Sequence, residues 1–119
     1  VYKRQPLTDE TQGLLGARLF ARLPAGAHVV NVGRGDHLVE PDLIEALDSG
    51  HLGGATLDAF SQEPLPQDHP FWRHPRITVT PHIATRTAPL VIARQAKSNY
   101  EAVLSGRPAP GATDLARGY

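Results

Sequence analysis

Three ionisable side chains, Arg34, Glu63 and His82, stand where catalytic groups gather. Together they supply a cation, an anion and a proton carrier. The planar guanidinium of Arg binds both oxygens of a carboxylate. Histidine moves protons near neutral pH. A carboxylate beside it favours the protonated, donating form. The set suits reduction of a 2-keto acid, which needs a grip on the carboxylate and a proton for the carbonyl oxygen. The hydride must come from a cofactor, because no side chain can donate one. Residue types alone leave plainer readings open. A strand-end Arg is often a surface ion pair, a Glu before Pro is often plain loop, and a His after Pro is often structural.

The elements that must position these groups can be read from the pattern. Thr8-Asp9-Glu10-Thr11 predicts a helix start. Leu14, Leu15, Leu19, Phe20 and Leu23 recur at roughly helical spacing, and Pro24-Ala25-Gly26 ends that helix. Ala27 to Val32 predicts a buried strand, followed by a turn at Gly33-Arg34-Gly35-Asp36. Glu40-Pro41-Asp42 opens a second helix with Leu43, Ile44 and Leu47 as its apolar face, closed by Ser49-Gly50. Gly54 to Leu57 predicts a second strand, with Asp58 at its end. Residues 61–76 form a long loop of the kind that is more often functional than idle. Ile77 to Thr80 predicts a third strand, stopped by Pro81. A long helix covers 87–105, and a Pro- and Gly-rich tail follows.

Strands separated by helices imply parallel pairing. The expected class is α/β: a partial Rossmann-like, doubly wound parallel sheet plus a long C-terminal helix. In such sheets, sites lie outside the carboxyl ends of the strands. Arg34, Asp58 with Glu63, and His82 all follow strand ends, and neighbouring strands lie about 4.8 Å apart. The groups can therefore converge although they are distant in sequence.

Composition excludes several classes. Lys+Arg and Asp+Glu are both 12, so no basic field exists for nucleic acid or an anionic membrane. With no cysteine, disulfides and thiolate metal sites are ruled out. No stretch approaches the roughly 18 apolar residues of a membrane span, and Val1 to Gln5 does not resemble a signal peptide. A cytoplasmic protein is expected. His69 and His74 lack a third ligand at useful spacing, so no metal site is expected. His28, His37 and His51 read as structural or solvated. Arg34-Gly35-Asp36 spells an adhesion tripeptide, but it is short. No G-x-S-x-G elbow supports a serine hydrolase. Trp72 reads as a plug that packs the 61–76 loop onto the domain.

Four segments resemble one family. Asn31-Val32-Gly33-Arg34-Gly35 is similar to the segment bearing the substrate-binding Arg of the D-isomer-specific 2-hydroxyacid dehydrogenases. Leu57-Asp58-Ala59-Phe60 with Gln62-Glu63-Pro64 resembles their LDVF…EP segment. Thr80-Pro81-His82-Ile83-Ala84 resembles TPHIA, whose His is the acid/base. Pro6-Leu7-Thr8 with Glu10-Thr11 resembles PLTxET, where backbone lies near the nicotinamide. His69-Pro70-Phe71-Trp72 and Ala116-Arg117-Gly118-Tyr119 resemble the bacterial glyoxylate/hydroxypyruvate reductase branch. The resemblance implies Arg34, Glu63 and His82 as catalytic residues. It implies Leu7, Thr8, Val32, Gly33, Arg34, Asp58, His82 and Ala84 on the cofactor side. It also implies a small 2-keto acid as substrate and NADP or NAD as cofactor, with NADP favoured.

The family's phosphate-binding loop has no counterpart here, since no G-x-G-x-x-G occurs. An apolar strand is expected before Pro6, yet Tyr2-Lys3-Arg4-Gln5 is mostly polar. The chain is therefore expected to be a C-terminal fragment. Residues 1–86 would be a partial NAD(P)-binding domain. Residues 87–119 would be a helix and tail that return to an absent substrate domain. A homo-oligomer, with swapped helices, is the expected consequence of an orphaned helix and an open sheet edge. The rival to a working reductase is a self-associating folded module without turnover.

Overall fold

The computed structural model describes residues 1–3, 6–84 and 87–112 and divides into two compact units, Val1–Ala84 and Thr85–Tyr119. The first unit holds a four-stranded, all-parallel sheet in the order β1 (Tyr2–Lys3), β2 (Ala27–Asn31), β3 (Leu52–Leu57), β4 (Ile77–Val79). Helices α1 (Ala17–Phe20) and α2 (Glu40–Asp48) supply Phe20, Leu43 and Leu47 to a core shared with Val29, Leu52, Ala55 and Leu57 of the strands. The α/β class and the parallel pairing stand as expected.

The register brings the strand ends level. Lys3 pairs with Asn31, Asn31 with Leu57, and Leu57 with Val79. Whatever follows each strand therefore emerges along one edge. Side chains alternate between faces, so Val29 and Asn31 are buried while His28 is exposed. On the outer face the His28 ring meets the Thr56 hydroxyl at 3.0 Å.

Two expectations fail for the same reason, which is that tertiary pairing outranks local pattern. The helix expected from Thr8 onward is only the single turn Ala17–Phe20. Gly13 has φ +63°, and the Gly16 backbone is extended. Residues 13–15 pair instead with the segment after Arg34: Gly13 N donates to Asp36 O at 2.8 Å and Leu15 N to His37 O at 2.8 Å. Asp42 of α2 then caps the short helix, accepting from Ala17 N at 2.7 Å. Conversely, the polar Tyr2–Lys3 stretch does form a strand. Pairing needs only backbone groups, and Val30 N donates to Val1 O at 2.7 Å.

Helix α2 forms as its sequence directs, with Pro41 in the first turn and Gly50 just beyond the end at φ +78°, where a Cβ would be strained. The 61–76 loop contains a 3-10 turn, Pro70–Trp72. Its plug is Phe71, which is 1 % exposed, and not the expected Trp72, which is 51 % exposed. Phe71 lies against the rings of Phe60 and His69. Trp72 keeps its indole N–H on Pro66 O at 2.7 Å.

In the second unit, α3 (Pro89–Leu104) exposes Leu90, Val91, Ile92, Val103 and Leu104. Among the described residues, no helix is long and apolar enough to cross a membrane. The final Ala116–Tyr119 segment lies outside the described residues.

Candidate active site

The turn after β4 places His82. Its backbone has φ +53°, a left-handed conformation that an L-residue adopts only when its surroundings demand it. Asp58, at the end of β3, makes that demand. The residue is 2 % exposed. Oδ1 accepts from the Thr80 hydroxyl and from Ile83 N (2.9 Å), and Oδ2 accepts from Ala84 N (2.9 Å). One buried anion thus clasps both sides of the histidine. Burial on its own would raise the Asp58 pKa. The Thr80 hydroxyl, the Ala84 and Ile83 N–H groups and the charge of His82 together outweigh it and hold the carboxyl below its usual range.

The His82 ring meets Glu63. Nδ1 lies 2.9 Å from Oε2 and 3.2 Å from Oε1. Glu63 Oε1 also accepts from Phe60 N at 2.9 Å. The hydrogen bond to His82 and that from Phe60 N hold the Glu63 carboxyl below its ordinary value. Burial opposes them, and the charges of His82 and Arg34 assist. With Nδ1 on Glu63, Nε2 of a protonated ring is the nitrogen left to donate.

Arg34 follows β2 and is exposed, with Nη1 turned onto Gly33 O at 2.9 Å. Its backbone frame is built by Asn31, which is fully buried: Oδ1 accepts from Gly33 N (3.1 Å) and Nδ2 donates to Arg34 O (2.9 Å). Gly35 fixes the separation of the Arg34 and Glu63 segments. A Cβ there would lie 1.9 Å from Phe60 C and 2.0 Å from Ser61 N, so only glycine permits the approach.

The three strand ends thus bring Arg34, Glu63 and His82 to one edge, with Asp58 beneath His82 as its support. Val32 and Gly33 lie on the Arg34 turn, and Ala84 on the Asp58 clasp. Thr8 is occupied locally, its N–H on Thr11 Oγ1 at 2.9 Å. Among the described residues, no hydrogen bond ties Leu7 or Thr8 directly to Arg34, Glu63 or His82. The sequence did not single out Asn31 or Thr80. An Asn closing a buried strand was a usable signal, because its side chain readily holds a following turn. Among the described residues, no group of three His, Cys, Asp or Glu could hold a metal ion. His69 instead pairs with Glu40 at 3.2 Å and His74 with Asp48 at 3.3 Å.

Comparison with known proteins adds names to this geometry. The chain is 52% identical over 114 residues to glyoxylate/hydroxypyruvate reductase A of Serratia proteamaculans, covering 96% of this chain and 36% of that relative. It spans about a third of the length of the curated relatives it matches. A D-isomer specific 2-hydroxyacid dehydrogenase from Xanthobacter autotrophicus, solved with NADPH and MES, superposes with a TM-score of 0.92 at 44% identity, over 100% of this chain and 49% of that one. The NADPH-dependent glyoxylate/hydroxypyruvate reductase of Sinorhizobium meliloti, solved with NADP and sulfate, gives 0.87 at 41% identity, over 99% and 39%. Residues 1–84 match the model of the D-isomer specific 2-hydroxyacid dehydrogenase NAD binding domain, so the segment that carries every candidate group described above places this chain in that family.

Proposed function

We propose that this chain supplies the catalytic edge of an NAD(P)H-dependent reductase of small 2-keto acids, with glyoxylate and hydroxypyruvate, named for its relatives, as the substrates. The observation that carries the proposal is the Glu63–His82 pair beside Arg34 at level strand ends. Arg34 grips the substrate carboxylate. His82 donates a proton from Nε2 to the carbonyl oxygen. Glu63 orients the ring through Nδ1 and favours its charged form. Asp58 acts on the cofactor side through the backbone turn it clasps. Leu7, Thr8, Val32, Gly33 and Ala84 line the nicotinamide region.

The residues present fit the nicotinamide end of the cofactor, since the turns after β2, β3 and β4 open on one edge. When bound there, the nicotinamide supplies the hydride. The pyrophosphate is a different matter, because the sequence holds no G-x-G-x-x-G turn. The chain alone therefore binds the dinucleotide weakly. NADP is favoured over NAD because similar structures were solved with NADPH or NADP. We assign residues 1–86 to the dinucleotide-binding domain and 87–119 to a helix and tail that pack on the substrate-binding part of such enzymes. A cytoplasmic location accords with the proposal.

The test grafts residues 6–119 onto the N-terminal part of an intact relative and follows NADPH oxidation with glyoxylate. Turnover is expected. In that chimera Arg34→Ala should raise KM for glyoxylate and lower kcat/KM about a hundredfold. A chimera that folds and binds NADPH yet reduces no keto acid would overturn the proposal. The exposed apolar residues of α3 favour a second reading for the chain alone: self-association without turnover. Light scattering should then give an oligomer at micromolar concentration, and a clean monomer mass would refute it.

A further inference from the structure

We propose that His37 is a positioning residue whose ring sets the station of Arg34 relative to the Pro6–Thr8 segment. The inference rests on Arg34 being the carboxylate grip. His37 closes the 3-10 turn Gly35–His37 and is fully buried. Nδ1 lies 3.0 Å from Arg34 N, and Nε2 lies 3.2 Å from Pro6 O, a residue 31 positions away. A backbone N–H can only donate and a carbonyl can only accept. Nδ1 is therefore the acceptor, Nε2 carries the hydrogen, and the ring is the neutral Nε2–H tautomer.

The same frame is held from the other side by Asn31, which takes Gly33 N–H and gives to Arg34 O. The N–H and the C=O of Arg34 are thus each bound by a buried polar side chain, His37 and Asn31. Of these two side chains, His37 is the one that also bonds Pro6, at the start of the segment carrying Leu7 and Thr8. An apolar residue of similar volume would fill the space, but it would leave Arg34 N–H and Pro6 O without these bonds. The ring fixes how far the cation stands from the nicotinamide-side backbone, which decides whether a bound keto acid presents its carbonyl to that side.

The test uses the 119-residue chain and nitrogen NMR of the imidazoles. His37 should show protonated Nε2 and unprotonated Nδ1 at neutral pH. The opposite tautomer, or a charged ring, overturns the proposal without any variant. His37→Asn retains an acceptor near the Nδ1 position, so it should preserve the Arg34 amide signal and shift those of Leu7 and Thr8. His37→Gln reaches the Pro6 side and should do the converse. Oxamate, a non-reducible 2-keto acid analogue, serves as the anion probe. Its affinity should fall about fivefold in His37→Gln and be largely kept in His37→Asn, with similar melting temperatures. Equal affinity in all His37 variants, while Arg34→Ala abolishes binding, overturns the positioning role. If Arg34→Ala leaves oxamate binding unchanged, Arg34 is not the grip and the functional proposal fails; the tautomer and amide signals still decide for or against the ring's bonds.

Discussion

Three histidine–carboxylate pairs occur among the described residues, and they differ in what surrounds them rather than in length. His82–Glu63 spans 2.9 Å, His69–Glu40 3.2 Å and His74–Asp48 3.3 Å. The latter two fasten the 61–76 loop to the two ends of α2. Their histidine side chains are 18% and 12% exposed, whereas that of His82 is 47% exposed. His82 is also held in left-handed backbone, its glutamate takes a second bond from Phe60 N, and a cation acts on that glutamate from the next strand end. The pair motif alone does not mark a site. An accessible ring on an imposed backbone, with a third charge converging, is what makes His82–Glu63 the candidate.

The sharpest way to break this contrast is to truncate the histidines one at a time in the chimera. His82→Gln should lower turnover about a thousandfold and leave NADPH affinity nearly unchanged. His69→Gln should keep turnover within about twofold. Equal losses from the two would erase the distinction. Next in size, the loop clasp should depend on its apolar anchor more than on its ion pairs. Phe71→Ala should cost about 3–4 kcal/mol by chemical denaturation, while Trp72→Phe should cost little. A Trp72 emission spectrum of a buried indole would contradict that ordering.

Smaller again is the effect of Asp58→Asn, about 2 kcal/mol, because the new amide turns a donor toward the Ile83 and Ala84 N–H groups. Asp58 has a lowered folded-state pKa. Its contribution is present above the unfolded value, about 3.9, and is lost as pH falls through the lower folded value. The variant should therefore show a flatter acid limb in a stability–pH series than the parent. Identical limbs would mean that Asp58 does not clasp the turn as described. The smallest effects should come from His74→Gln and Asp48→Asn, each under about 1 kcal/mol, since Asp48 is largely solvated.

Much of the candidate site was legible in the sequence because its parts follow strands that local composition reveals. Arg34, Asp58, Glu63 and His82 each come just after a β-branched or apolar run, and parallel topology supplies the convergence. The α2 start at Glu40-Pro41 is a local signal too. The rest depends on partners distant in the chain. Gly13 to Leu15 carry helical spacing but are claimed by backbone groups of residues 36–39. The β1 strand is defined by its backbone pairing with β2, which no local side-chain pattern announces. Phe71 and Trp72 are adjacent aromatics, and only the turn geometry decides which faces inward. His37 looked like any other histidine, since nothing local shows that its two nitrogens bond Arg34 and Pro6, residues distant from each other in the chain.

The Asp58 clasp also has a consequence in time. Ile83 N–H and Ala84 N–H are bound by a carboxylate and not by a neighbouring strand, so their exchange with solvent deuterium reports how often the turn lets go. Each release frees His82 to relax toward ordinary extended backbone and carries its ring away from Glu63. Slow exchange at these two amides, comparable to that of β3, would mean that the proposed proton donor is set in place once, when the chain folds. The entropy of ordering it would then already be spent before any substrate arrives.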